Sequence, residues 1–198
     1  MNQRLETLAD LGRDLPWPVL WVSSTAVGWG VAALVSWQVE QAADAMVTRS
    51  FRLVTTRLAI GAFPAGVVFG ALTAAAQGLA LRRTVARWDI AWLVLATAVG
   101  WGLGGVVAWV DVTLGVALLQ WPVVRRWKSR ASWWIAVTLA FGVLLRADFL
   151  PLEGLLLWGV GGAGGVALRG LLLGVLYGSV TGATLTKLRN KRQKGLHV

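Results

Sequence analysis

Charged residues are missing from long stretches of this chain, and those stretches predict its elements. Leu15 to Val39 is 25 residues without Asp, Glu, Lys or Arg, Leu58 to Leu81 is 24, and Ile90 to Val110 is 21. A helix of about 20 apolar residues crosses the hydrocarbon of a bilayer. Each run therefore predicts one membrane span. Asp14 is placed to cap the first, and Pro16 suits its first turn. Pro64, within the first two turns of the second, predicts a bend there.

The remaining apolar runs are shorter. Val112 to Val124 has 13 residues and Ala131 to Leu145 has 15, too few for straight spans. The first gains length if the chain turns at Gly104-Gly105 and Asp111 enters the helix, or if its ends continue into the headgroups. Leu171 to Leu185, continued to Leu188, is long enough. Gly154 to Leu168 is apolar but holds six glycines, which predicts a re-entrant or interfacial piece. Residues 1–14 place Leu5, Leu8 and Leu11 among charges, which fits either a short amphipathic surface helix or a frayed tail.

Internal repeats order these runs. Thr25-Ala26-Val27-Gly28-Trp29-Gly30 recurs as Thr97-Ala98-Val99-Gly100-Trp101-Gly102. Gln77-x4-Arg82-Arg83 recurs as Gln120-x4-Arg125-Arg126, followed by Trp92-x7-Gly100 and Trp134-x7-Gly142. Gly170-x3-Gly174-x-Leu176 matches Gly66-x3-Gly70-x-Leu72, with Thr181-Gly182 where Gln77-Gly78 stands. The expected fold is an all-α, polytopic membrane bundle of six helices in three degenerate hairpins, about 15–81, 90–124 and 131–188. Residues 40–57 and 147–169 are then insertions. Residues 1–14 form an N-terminal segment, 15–188 the transmembrane domain and 189–198 a basic tail.

Composition supports that class. Hydrophobic residues make up 57% of the chain and charged residues 14%, against about 45–50% and about 25% in soluble domains. The net charge of +10 would suggest nucleic acid in a soluble protein, but its distribution argues otherwise. With six spans, 14 basic and four acidic residues fall on the side of the termini and the 82–89 and 125–130 loops, while five of each fall on the other. All the excess lies on one face, the positive-inside pattern with both termini cytoplasmic. A seventh span at 154–168 would move the tail outside. The expected location is the inner membrane.

Side-chain chemistry narrows the function classes. The chain has no cysteine and one histidine, His197. It has no paired intramembrane carboxylate and no G-x-S-x-G, so no metal site or catalytic residue is expected. Two G-x-G-x-x-G matches lie in membrane-level sequence outside any βαβ unit and carry no nucleotide reading. Asp111 stands either at an outer turn or on an ion pathway. Of the 13 tryptophans, Trp17, Trp37, Trp88, Trp109, Trp127 and Trp133 stand near span ends as interfacial anchors. Trp29 and Trp101 lie deeper, where they either fill gaps beside glycines or stack on a bound ring.

Gly170, Gly174, Gly178 and Gly182 are four apart and form one small face, as do Gly66 and Gly70, predicting close helix packing. The partner is a helix of this chain, a second copy or another protein. Gln77, Gln120, Thr181, Trp29 and Trp101 are the candidate polar pocket, with interhelical hydrogen bonding as the alternative. Arg82, Arg83, Arg87, Arg125, Arg126, Lys128 and Arg130 are expected to contact anionic lipid headgroups.

The cassette of a Gly-rich helix running into Q-(G/W)-x-x-(L/V)-R-R and then a Trp-led helix spans Gln77–Arg83 and Gln120–Arg126, with Trp92 and Trp134 following. It resembles a loose group of uncharacterised bacterial multi-pass membrane proteins over about residues 60–145. The third hairpin departs from the cassette at Thr181. The resemblance implies a six-helix bacterial membrane protein and carries no activity. The expected function is non-catalytic: an accessory or scaffold subunit packing against other membrane subunits. The alternative is a small transporter or a lipid- or pigment-binding protein with a site between the hairpins. No cofactor is identifiable, although a bound lipid or pigment is compatible with the sequence.

Overall fold

A computed structural model describes residues 16–50, 61–82, 85–106, 112–127, 132–146 and 162–194. Among these residues the chain forms six helices: α1 (Trp17–Ser50), α2 (Phe63–Leu81), α3 (Arg87–Val106), α4 (Val112–Trp127), α5 (Ser132–Arg146) and α6 (Gly162–Lys194). Three are long and apolar enough to cross a membrane: Trp17–Met46 in α1, Phe63–Leu81 (α2) and Gly162–Ala183 in α6. Six of that kind were expected. At about 1.5 Å per residue, the 16 residues of α4 and 15 of α5 cover less than the ~30 Å hydrocarbon thickness. The 20 residues of α3 include Arg87 and Asp89 in its first turn.

Several boundaries differ from the sequence reading. α1 does not stop at Val39 but runs on to Ser50, so much of the supposed 40–57 insertion is helix. α6 begins at Gly162, nine residues before the expected Leu171, and takes Arg169 into its length. Gly162 starts it with φ +65°, a left-handed backbone that glycine adopts without steric cost. Pro64 opens α2 rather than bending it, after a wider helical turn at Gly61-Ala62. Asp14, Asp111 and Gly154–Gly161 lie outside the described residues, as do 1–14 and 195–198.

Each helix packs on the next in sequence, and α6 returns to pack on α1, closing a ring. The α6–α1 seam is the most extensive and α5–α6 the thinnest. Neighbours alternate in direction. Trp21 near the start of α1, Leu81 at the end of α2, Leu93 near the start of α3, Val124 near the end of α4 and Trp134 at the start of α5 form one apolar cluster. Trp21 also meets Gly182 of α6, so the first described turn of α1 and the later part of α6 share an end of the bundle.

The glycine faces explain the tight seams. A methyl built on Gly170 would lie 2.6 Å from the Trp29 carbonyl oxygen, and one on Gly174 would lie 2.7 Å from Ala26 Cα. Gly178 faces Thr25 and Val22, and Gly182 faces the Trp21 ring. On α2, Gly66 and Gly70 meet the backbone of α3 at Trp101 and Thr97. The four-glycine face of α6 is therefore occupied by α1 of the same chain. The outer surface is apolar, with Val27, Val31, Leu79, Leu95, Leu118 and Val180 all exposed.

Candidate functional site

The interior carries most of the buried polarity. One buried threonine comes from each helix: Thr25, Thr73, Thr97, Thr113, Thr138 and Thr181. Gln77 and Gln120 join them, each 2% exposed. This is the reverse of a soluble core, and it fits a chain whose outer face is apolar. The odd-numbered helices share one geometry, with inward residues at four-residue steps on one helical face. These are Trp21, Thr25 and Trp29 on α1, and Leu93, Thr97 and Trp101 on α3. On α5 they are Trp134 and Thr138, then Phe141 three residues on.

The steps build three layers. Trp21, Leu93 and Trp134 form the layer toward the Arg126 end, packed with Ala80, Leu81, Val123 and Val124. The threonines and glutamines lie above it. Trp29 tops them, its ring edge-on to Phe69, Trp101 and Phe141 at 5.4–5.9 Å and tilted against Tyr177 at 5.4 Å. A small cavity lies between the apolar layers, with ≈ 20 Å³ open to the centres of water molecules. All six helices line it, through Trp29, Thr73, Gln77, Thr97, Trp101, Thr113, Val116, Gln120, Thr138, Phe141 and Tyr177. No Asp, Glu, Lys, Arg or His is among them.

In two sectors an indole N–H meets the polar residue of the preceding helix. Trp134 Nε1 donates to Gln120 Oε1 (2.7 Å), and Gln120 Nε2 donates to Thr97 Oγ1 (2.7 Å), which donates to the Leu93 carbonyl (2.6 Å). Across the closing seam, Trp21 Nε1 donates to Thr181 Oγ1 (3.0 Å), which donates to the Tyr177 carbonyl (2.7 Å). The Thr138 and Tyr177 hydroxyls lie 3.4 Å apart. The third sector is different. Leu93 stands where Trp21 and Trp134 stand, and it has no N–H to offer Gln77 on the preceding helix. Gln77 Nε2, Thr73 Oγ1, Trp29 Nε1 and Thr25 Oγ1 are buried without a hydrogen-bond partner, and the first three residues line the cavity.

Four of the five expected pocket residues, Gln77, Gln120, Trp29 and Trp101, therefore meet around one cavity. Thr181 does not line it and is bonded to Trp21 instead. The sequence reading missed Thr73, Thr97, Thr113, Thr138 and Tyr177. It also paired Trp92 with Trp134, whereas Trp92 is exposed and its neighbour Leu93 faces inward. The missed signal was the threonine four residues after each of Trp21, Leu93 and Trp134.

The described basic residues lie outside this interior. Arg82, Arg87, Arg125 and Arg126 are exposed, and Arg126 pairs with Asp89 at 3.5 Å. Arg126 also borders an outer groove of ≈ 360 Å³ between α3 and α4, lined by Trp92, Leu95, Leu119 and Pro122. Arg83, Lys128 and Arg130 lie outside the described residues. No group of His, Cys, Asp and Glu suited to a metal occurs among the described residues.

What the site defines is a membrane-type helical ring around an uncharged polar chamber. No protein-family model, curated protein or solved structure matches the chain. The cassette resemblance therefore stands on its own residues.

Proposed function

We propose that this chain is a non-catalytic six-helix protein of the bacterial inner membrane, with both termini cytoplasmic, and that its function resides in the central chamber. It binds or passes a small polar solute, as a small transporter or ligand-binding membrane protein does. The charge asymmetry supports the orientation, and the cassette resemblance supports the bacterial setting. For α3, α4 and α5 to cross, their ends must reach into the headgroup region, where Trp88, Trp133 and the exposed arginines are suited to lie. Those arginines contact anionic headgroups.

The observation that carries the reading is convergence. Seven polar side chains from five helices line one cavity, and Trp29 of α1 completes it. A bundle that only packs has no need of this, because buried polar groups cost stability unless partnered. The accessory-subunit reading drew on glycine and tryptophan packing surfaces and the absence of reactive groups, and the four-glycine face meets α1.

Flux into proteoliposomes tests the proposal. Vesicles holding the full chain should admit formamide or urea faster than protein-free vesicles in stopped-flow light scattering. Thr73→Phe, which places a ring in the chamber, should remove the difference. If no such solute is admitted or bound, and a mild-detergent preparation retains a stoichiometric membrane protein, the chain is a scaffold subunit instead.

A further inference from the structure

Among the three repeat units, only the one built from α2 and α3 lacks the tryptophan that elsewhere donates to the polar residue of the preceding helix. In the α4–α5 unit that donor is Trp134, and in the α6–α1 unit it is Trp21. In the α2–α3 unit the position is Leu93, 2% exposed and set in the same apolar layer. Leu93 offers the Gln77 side-chain oxygen no donor, and the Gln77 amide nitrogen finds no acceptor. Gln120 has partners on both sides, whereas Gln77 Nε2, also 2% exposed, has none. Thr73 and Trp29, 3% and 5% exposed, line the same cavity, and Thr73 Oγ1 and Trp29 Nε1 also have no partner.

We propose that this sector, where these groups line the cavity, is a binding site for a small uncharged molecule that presents an oxygen as hydrogen-bond acceptor. The inference rests on the reading of the chamber as the functional site and narrows it to one wall and one chemical class. Three arguments select the ligand. The Trp29 indole N–H can only donate and the unpartnered Gln77 nitrogen donates as well, so these two atoms ask for an acceptor. The lining has no charged residue, so an ion would be desolvated without a counter-charge, which is costly. The ≈ 20 Å³ open to water centres suits one or two waters, or a molecule of about three non-hydrogen atoms. Formamide has that size and a carbonyl oxygen. Gln77 and Trp29 would both donate to that oxygen, with the Thr73 hydroxyl free to donate to it or accept from the amide.

The test uses the full chain in detergent micelles with ¹⁵N-labelled tryptophan, each indole resonance assigned by its loss in a Trp→Phe variant. Formamide is titrated, with chloride as a charged comparator. The Trp29 resonance should shift saturably with formamide, while Trp21 and Trp134, already bonded, stay in place. Gln77→Leu removes no existing bond and should raise the half-saturating concentration about tenfold, the factor carried by one ordinary hydrogen bond. A Trp29 shift with chloride but not formamide overturns the ligand class. Equal shifts at Trp21, Trp29 and Trp134 show a bulk solvent effect and overturn the site. A saturable shift at Trp101 alone keeps the chamber but removes this wall. No shift at any chamber indole overturns both the wall and the chamber as a solute site.

Discussion

Gln77 and Gln120 occupy the same place in the repeat and are equally buried, yet they behave oppositely. Gln120 is a link: it accepts from Trp134 and donates to Thr97, tying α5, α4 and α3 together. Gln77 lines the same cavity with its amide nitrogen unpartnered. On the next helix stands tryptophan in one unit and leucine in the other, and on the preceding helix Thr97 accepts from Gln120 while Thr25 Oγ1 has no partner. A repeated architecture can thus keep its framework in two sectors and release polar groups in the third. The same residue type is structural in one sector and available in the other.

The largest effects should come from the seams, which both sectors need. Gly174→Leu and Gly70→Leu each force a side chain against neighbouring backbone, at Ala26 and Ala98 respectively. Overpacking of this kind costs about 1–3 kcal/mol or more. Thermal unfolding in detergent should show both variants far below wild type. A stable, wild-type-like Gly174→Leu would mean that α1 and α6 do not pack as described.

Gln120→Leu comes next. It strands the Trp134 indole N–H in an apolar layer, a loss of about 1–3 kcal/mol. Adding Trp134→Phe should recover part of it, and the double-mutant cycle measures the coupling. Gln77→Leu should cost far less, within about 0.5 kcal/mol of wild type or on the stabilising side, because an unpartnered amide is replaced by an apolar group of similar size. Equal losses in the two glutamine variants would break the comparison. Leu176→Ala should change least, within about 0.5 kcal/mol, because Leu176 is 40% exposed on the outer face.

The helices themselves were legible in the uncharged runs, since a chain crossing lipid must omit charges for about 20 residues. Ends were less legible. Glu40 and Asp44 appeared to close α1 at Val39, but the helix continues to Ser50. A charge ends an apolar run without ending a helix, which polar residues of adequate propensity continue. Most of the pocket was also legible, because polar residues within apolar runs are few and stand out. Which neighbour each one meets was not. Pairing Trp92 with Trp134 was a one-residue slip, and one residue turns a helix by about 100°, enough to exchange an outward side chain for an inward one.

The sequence by itself determined that this is a helical chain with apolar runs of membrane-spanning length, and which residues share a helical face. Gly170, Gly174, Gly178 and Gly182 had to lie together, because a four-residue step advances about 400° and keeps to one side. Only the tertiary structure decided that this face meets α1 rather than another protein, since a glycine stripe specifies closeness and not the identity of what comes close. The same holds inside the ring. Helical periodicity turns Leu93 inward, but that its turn leaves Gln77 without a donor follows from α2 and α3 lying side by side at that register.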